Sequence, residues 1–558
     1  MIRTCPFRTL LAAALLVPAA VSADGLLRAT PVAEPASIVL PRDAEPLPPS
    51  RGRSATRAVP RRAAWLAAQP AHVDSVQLLV DQYVGDGWES SVAINHADGA
   101  SATVGYREGW DFDPDIPIGS LRPGTSAWAT RTFPSGNGIY GGLPEQPWMV
   151  AGNAAGEFLT AMIRQDNYPS DNTHVILARS TDNGLTFSKR WEIMRDTKQD
   201  RPMFDVDRPA SLGGATGTYD GKVWLCWDDW GASGAGFAAS YFDVLSNDTL
   251  VSEAPLSTPG SQFKGAKFQP VAGLSDGQVF LVSNSIANGG AAVYATFHEL
   301  GQGGAVKTLG KSTLSWQPAG QRLGASTYWG VNGHRIDERG TLALDRTFGA
   351  RRGYWYFVSN RNPNPADATQ DQGDLYLSIS VTRGASWTTL KIPAAFDKTQ
   401  FYPMLDVDGQ GWLHLAYYQN ESGYFDAGVL NAGIVAVYYT VSHDGGQSWI
   451  PPVRVNQADH TLSMEEPPLQ LAPYDYDLLG DYMQIRAWGS GDATYAYVAW
   501  THYDQYRSDD ALGQKKQRLY VTRIGAPQAP AASNGVLAAV AAALAATGAV
   551  AMRRRRRA

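Results

Sequence analysis

Cysteine is nearly absent: there are two in 558 residues, Cys5 and Cys226. An export signal is expected over residues 1–23. Arg3 and Arg8 lead, the short apolar run "TLLAAALLVPAA" follows, and small residues precede a cut after Ala23. That cut removes Cys5, leaves Cys226 alone and excludes an intramolecular disulfide. Cys226 sits in the apolar run "KVWLCWDDW" with no histidine beside it, so it reads as a small buried hydrophobe and not a nucleophile. An exported chain without disulfides depends on a large core, which this length allows.

Excess positive charge is missing too. The net charge is −6, and no nucleic-acid partner is expected. The nine histidines are scattered, and no zinc spacing, phosphate loop or nucleophile elbow is found. No cofactor is therefore expected, with one calcium candidate set apart. Asp475, Asp477 and Asp481 crowd into "APYDYDLLGDYMQ", with Glu465 and Glu466 upstream, and oxygen-rich clusters hold Ca²⁺, although the spacing is not that of an EF-hand.

Long apolar runs are absent except at the end. "GVLAAVAAALAATGAVAM", residues 535–552, has membrane-spanning length and no charge. Arg553 to Arg557 follow at once, and basic flanks stay in the cytoplasm. This predicts a linker over 526–534, a transmembrane segment over 535–552 and a basic cytoplasmic tail over 553–558. The ending resembles the C-terminal sorting tails of bacterial exported proteins, without a Pro-Glu-Pro or Gly-Gly motif ahead of the span. Residues 24–72, rich in Pro, Ala and Arg, read as a disordered spacer. The bulk of the protein is expected in the cell envelope or outside the cell, anchored at its C-terminus or released by processing.

What is abundant is glycine (56), tryptophan (17) and tyrosine (25), which suits short strands and tight turns. No convincing amphipathic helix separates the strand-like segments. One pattern recurs at intervals of roughly 60–80 residues: an opening pair, an apolar strand, a Gly/Asp turn and a strand rich in Trp, Tyr and Val. Copies begin near Trp88, Glu145, Asp207, Phe268, Gly340, Phe401 and Gly480. Repeated four-stranded units predict an all-β fold, a single β-propeller over 73–525. Seven starts favour seven blades; the poorly marked unit at Gly340 leaves six as the alternative. The strand from Val73 to Val84 is expected to complete the last blade beside "RLYVTRIG", which removes an open edge.

Three octapeptides sharpen this: "STDNGLTF" at Ser180, "SHDGGQSW" at Ser442 and the degenerate "SVTRGASW" at Ser380, with Thr382 in place of the aspartate. They resemble the Asp-box, the bacterial neuraminidase repeat, and the core resembles the sialidase-type propeller superfamily. In that superfamily the box lies on a blade hairpin away from the active face, so Asp182 and Asp444 are read as structural. The aspartate pins a turn, the glycine takes a positive φ and the aromatic packs between sheets.

The residues just before the inner strands are expected to ring a funnel mouth. Catalytic candidates are Glu145, Asp207, Asp481 and Tyr482; substrate-binding candidates are Glu89, Gln146, Arg208, Gln269 and Tyr402. Paired carboxyls serve glycoside hydrolysis, and arginine holds a carboxylate with two parallel hydrogen bonds. The resemblance implies an arginine triad, a Tyr-Glu nucleophile pair and an aspartate acid/base. The place of the first family arginine reads "GDGWESSVAI" and holds none; "DRPAS" at Asp207 and "HRID" at His334 are distant echoes. Two functions stay open: an exported glycoside hydrolase acting on extracellular glycans, or a non-catalytic propeller binding glycans or proteins at the cell surface. A monomer is expected in either case.

Overall fold

The structure is a computed structural model. It describes most of the chain between residues 72 and 525; residues outside that range and several segments within it, among them 81–87, 108–115, 134–141, 243–266, 422–432, 463–481 and 504–516, lie outside the described residues. The signal segment, spacer and C-terminal span therefore lie outside them, and so do Asp475, Asp477 and Asp481. Among the described residues no helix is long and apolar enough to cross a membrane.

The described chain is all-β. Antiparallel sheets follow one another as blade 1 (88–133), blade 2 (142–193), blade 3 (199–242), blade 4 (267–316), blade 5 (341–391), blade 6 (400–462) and blade 7 (484–525). A small three-stranded sheet over 321–335 lies between blades 4 and 5 in sequence. The unit at Gly340, the least legible in sequence, is a complete four-stranded blade. Blade 7 is completed from the other end of the chain, because His72–Val73 and Gln77–Val80 both pair antiparallel with Gln517–Gly525. This is the closure expected from the sequence.

The first strands of the blades touch in order around one axis, and the last returns to the first. A side chain ties each neighbouring pair. Ser91 Oγ accepts from Met149 N at 2.7 Å (blades 1–2), and Trp148 Nε1 donates to Phe204 O at 3.0 Å (blades 2–3). Asp205 Oδ2 accepts from Ala272 N at 2.8 Å (blades 3–4). The Gln269 amide makes two bonds to the Leu342 backbone, at 2.8 and 3.0 Å (blades 4–5). Thr341 Oγ1 donates to Pro403 O at 3.0 Å (blades 5–6). Asp406 Oδ2 accepts from Ala487 N at 2.8 Å (blades 6–7), and Gln484 Oε1 accepts from Val92 N at 2.6 Å (blades 7–1). The ring thus closes through seven junctions. These polar groups are buried or half-buried near the axis, where an unpaired backbone amide is costly, so the junctions are satisfied and directional.

Packing between blades is apolar. Leu413–Asn420 and Trp355–Arg361, each the second strand of its blade, are buried at every position instead of alternating. Both faces of each strand are covered by neighbouring sheets, which buries polar residues such as His414, Gln419, Asn420 and Asn360 along with the apolar ones. Cys226 is one of these positions, buried on Val223–Asp229.

The octapeptide turns join third to fourth strands, as in Thr173–Ser180 to Lys189–Ile193. Asp182 accepts from Ser180 Oγ (2.7 Å), Thr186 N (2.9 Å) and Thr186 Oγ1 (2.7 Å), and Ser180 Oγ accepts from Gly184 N at 2.9 Å. Asp444 repeats the set with Ser442 and Ser448 at 2.6–2.9 Å. In the degenerate copy Thr382 Oγ1 accepts from Ser386 N at 2.9 Å, so a hydroxyl replaces the carboxylate. The box glycine has to be glycine: Gly384 has φ +75°, and a Cβ there would lie 2.4 Å from the Trp355 ring. Phe187 and Trp449 are buried as expected.

Candidate functional site

Alternation of strand direction puts the turns after first strands and the Asp-box turns at one end of the axis. The starts of the first strands lie at the other end. An axial cavity of about 60 Å³ lies among the first strands, toward their C-terminal ends. Its charged and titratable lining residues are His96, Asp205, Arg208, Arg346, Asp406 and Arg486.

Backbone register explains how they converge. Four of the seven first strands carry an early irregularity: between Trp88 and Ser91, Glu145 and Trp148, Asp200 and Met203, and Phe401 and Met404. Counted from it, Asp205 and Asp406 fall at the same position on their strands. Arg208 and Arg346 occupy matching positions one residue beyond the strand-ending bonds of Asp207 N to Lys222 O and Asp345 N to Tyr354 O. Ring closure brings these matching steps to one place on the axis.

The guanidinium groups are unequally neutralised. Arg346 Nη2 lies 2.5 Å from Asp205 Oδ2 and also donates to Ala272 O at 2.8 Å. Arg208 lies 3.9 Å from Asp205 Oδ1 and donates to Gly152 O at 3.1 Å and Asn153 Oδ1 at 3.2 Å. Arg486 has no carboxylate within ion-pair distance among the described residues; its guanidinium lies over the Trp148 ring at 5.7 Å. Burial lowers the Arg208 pKa to about 10, which leaves it charged at neutral pH. Burial, with Arg208, Arg346 and Arg486 adding to it, lowers His96 to about 3, so its imidazole is neutral. The two carboxyls differ. Burial acts to raise both. At Asp205 the charges of Arg346 and Arg208 outweigh it and the pKa falls; at Asp406 burial prevails over Arg486 and the pKa rises. The cavity therefore holds three cations against one firmly ionised carboxylate and a second whose ionisation is disfavoured.

The expected rim is only partly assembled. Arg208 lines the cavity, but it follows its strand, Gln199–Val206, instead of preceding it. The chain carries two Asp-Arg-Pro copies, and the structural counterpart of Phe401-Tyr402-Pro403 is Asp200-Arg201-Pro202. Both bulges hold a residue in left-handed backbone, Arg201 at φ 49° and Tyr402 at φ 48°. Asp207 turns away from the axis: its Oδ2 accepts from Trp224 Nε1 (3.3 Å) and Gly277 N (3.1 Å). Tyr482 does not face the cavity; it packs edge-on against Trp148 at 5.5 Å and donates to Pro147 O at 3.1 Å. Arg208 thus lines the cavity and Tyr482 does not. Tyr402 is buried against Phe401 and Tyr418, and Gln269 lines the cavity while serving as the blade 4–5 tie. The backbones of Glu89, Glu145 and Gln146 lie in first strands; their side chains, and Asp481 altogether, lie outside the described residues.

His96, Asp205, Arg346, Asp406 and Arg486 were missed. For Asp205, Asp406 and Arg486 the signal was a charge beside apolar residues of a first strand, as in "RPMFD", "YPMLD" and "MQIR"; His96 and Arg346 lie just beyond theirs. Among the described residues one group of three carboxylates could hold a cation: Asp207, Asp220 and Asp276, whose ligand oxygens all lie within 4.8 Å of one another. Burial, opposed by the bonds from Trp224 and Gly277 and assisted by Asp276 and Asp220, raises Asp207 to about 7.

No protein-family model matches the chain, and no curated protein matches it in sequence. Solved structures similar to it include the α-L-arabinofuranosidase Arb93A from Fusarium graminearum (12% identity, 82% of this chain and 98% of that chain covered, TM-score 0.36). Others are the sialidase Hz136, named Hadza microbial (12%, 71% and 73%, 0.34), and the endosialidase of phage phi92 (8%, 81% and 69%, 0.41). At these identities and scores the likeness carries no argument about this chain, and the residue-level reading rests on its own geometry.

Proposed function

We propose that this protein is a carbohydrate-directed propeller of the glycosidase type, taking extracellular glycans that carry an acidic group. The observation that carries this reading is the convergence of Arg208, Arg346 and Arg486 on one axial cavity where Asp205 alone is in ion-pair contact. A carboxylate gains charge-assisted hydrogen bonds there, and low dielectric strengthens them. Ligand pockets for whole molecules run to about 300–1,000 Å³. A cavity of about 60 Å³ suits the acidic substituent and leaves the sugar ring outside.

Hydrolysis needs one carboxyl that holds a proton and one that stays ionised. Asp406, raised, and Asp205, lowered, are divided in that sense. The second reading, a non-catalytic binder, is favoured by the bonds each already makes to a neighbouring strand, Asp205 to Ala272 N and Asp406 to Ala487 N. We place the protein outside the cell, held by residues 535–552. A panel of acidic and neutral oligosaccharides, scored for both binding and release of sugar, tests the proposal. Preference for acidic members supports it, and release by the wild type but not by Asp406→Asn selects the enzyme.

A further inference from the structure

Phe348 has no packing role, yet it is held in place. It is 76% exposed, the most exposed large hydrophobic side chain among the described residues. It lies two residues beyond Arg346, on the turn between Thr341–Leu344 and Trp355–Arg361. The turn is tightly fastened. Thr347 N and Oγ1 both donate to Asp345 Oδ1, at 2.9 and 2.6 Å, and Gly353 N donates to Asp345 O at 2.8 Å. Arg352 donates from Nη1 to Arg346 O (2.5 Å) and Thr347 O (3.0 Å), and from Nη2 across to Gly213 O (2.9 Å) on the turn after the first strand of blade 3. The same guanidinium lies 4.8 Å from the Phe348 ring centroid. A phenyl group exposed by accident would sit on a loose loop; this one is carried by a turn bonded at both ends and is backed by a cation.

The Arg346 side chain lines the axial cavity and is 25% exposed. Two residues of chain span at most about 7 Å. One fastened turn therefore carries both an exposed apolar ring and an arginine that lines the cationic cavity. The ligand that satisfies both has an apolar face next to an acidic group, as a uronic-acid or other acidic sugar has in its C–H face and carboxylate.

We propose that Phe348 is the stacking platform for the sugar ring whose acidic group enters the axial cavity, which makes this site selective for acidic sugars within a chain over free small anions. The inference rests on the acidic-glycan reading above and adds the residue that recognises the ring. It also places entry at the end of the axis that carries the octapeptide turns, the opposite of the face that the resemblance implied.

Calorimetry on the full-length protein with two probes, trigalacturonate and inorganic phosphate, tests it. Phe348→Ala is expected to weaken trigalacturonate about tenfold and leave phosphate unchanged, and Phe348→Trp to restore the trisaccharide. Unchanged thermal unfolding of Phe348→Ala verifies that the exposed ring is not structural. If Phe348→Ala binds trigalacturonate as well as the wild type, the platform is overturned and the acidic-glycan reading stands. If Phe348→Ala weakens both probes equally, the ring does not discriminate and the proposal is overturned. If the wild type binds neither probe, the acidic-glycan reading fails and the platform fails with it.

Discussion

Asp205 and Asp406 hold the same position on the first strands of blades 3 and 6, and each accepts the backbone N–H of the next blade's first strand, Ala272 and Ala487, at 2.8 Å. Their surroundings differ in one respect. Asp205 has Arg346 at 2.5 Å, whereas Asp406 has no cation within ion-pair distance among the described residues. The same structural duty is thus performed by an ionised carboxylate and by one that resists ionisation.

This difference gives opposite signs for two conservative variants. The Asp205 pKa is lowered on folding, so its stabilisation is present above the unfolded value and is lost as pH falls through the folded one. The Asp406 pKa is raised, so its contribution is present below the unfolded value and is lost as pH rises through the folded one. At pH 7, Asp205→Asn should destabilise by about 2–4 kcal/mol, since Arg346 loses its partner in a largely buried site. Asp406→Asn keeps an oxygen for Ala487 N and should be neutral or stabilising. Urea unfolding at pH 4, 5.5 and 7 measures both; equal signs at pH 7 would falsify the assignment.

The octapeptide turns are held together by their own hydrogen bonds. Asp444→Ala should cost about 1–2 kcal/mol through the lost bonds to Ser442 and Ser448 and leave ligand affinity intact. Thr382→Asp, which rebuilds the third box, should gain up to about 1 kcal/mol. A ligand-affinity loss in Asp444→Ala at unchanged melting temperature contradicts this.

How much of this was legible in sequence differs by residue. Ser180, Asp182 and Gly184 act within one turn, so their spacing announced the turn, and the apolar repeats announced the blades. The pairing of Gln77–Val80 with Gln517–Gly525 was legible because a propeller needs a partner for its last edge. The cavity was not legible in the same way. Asp205 and Arg346 are 141 residues apart and meet only because seven strands close a ring. The two Asp-Arg-Pro copies, seven residues apart, offered two alignments, and only the left-handed bulge shared by Arg201 and Tyr402 distinguishes them.

Asp207 gives a pH signature of its own. Its pKa rises to about 7, so its contribution is complete below the unfolded value near 4 and is lost as pH rises toward 7. Asp207→Asn should therefore gain roughly 1–3 kcal/mol at pH 8 and nothing at pH 4. A gain that does not vary between these two pH values removes Asp207 as its source.

Deletion of residues 535–558 should release the protein in soluble form, as the apolar run and its arginines predict. Membrane fractionation of full-length and truncated chains decides it: truncated protein still sedimenting with membranes means that another segment is the anchor.

The central claim is that three arginines make the axial cavity a receptor for an acidic sugar group, with Arg486 the least neutralised of them. Isothermal titration of the full-length protein with trigalacturonate, beside its Arg486→Ala variant and a neutral trisaccharide, tests it most directly. The expected result is a loss of about 1.5–3 kcal/mol, roughly ten- to hundredfold, for the acidic ligand only. Equal binding of trigalacturonate by wild type and Arg486→Ala would contradict the account.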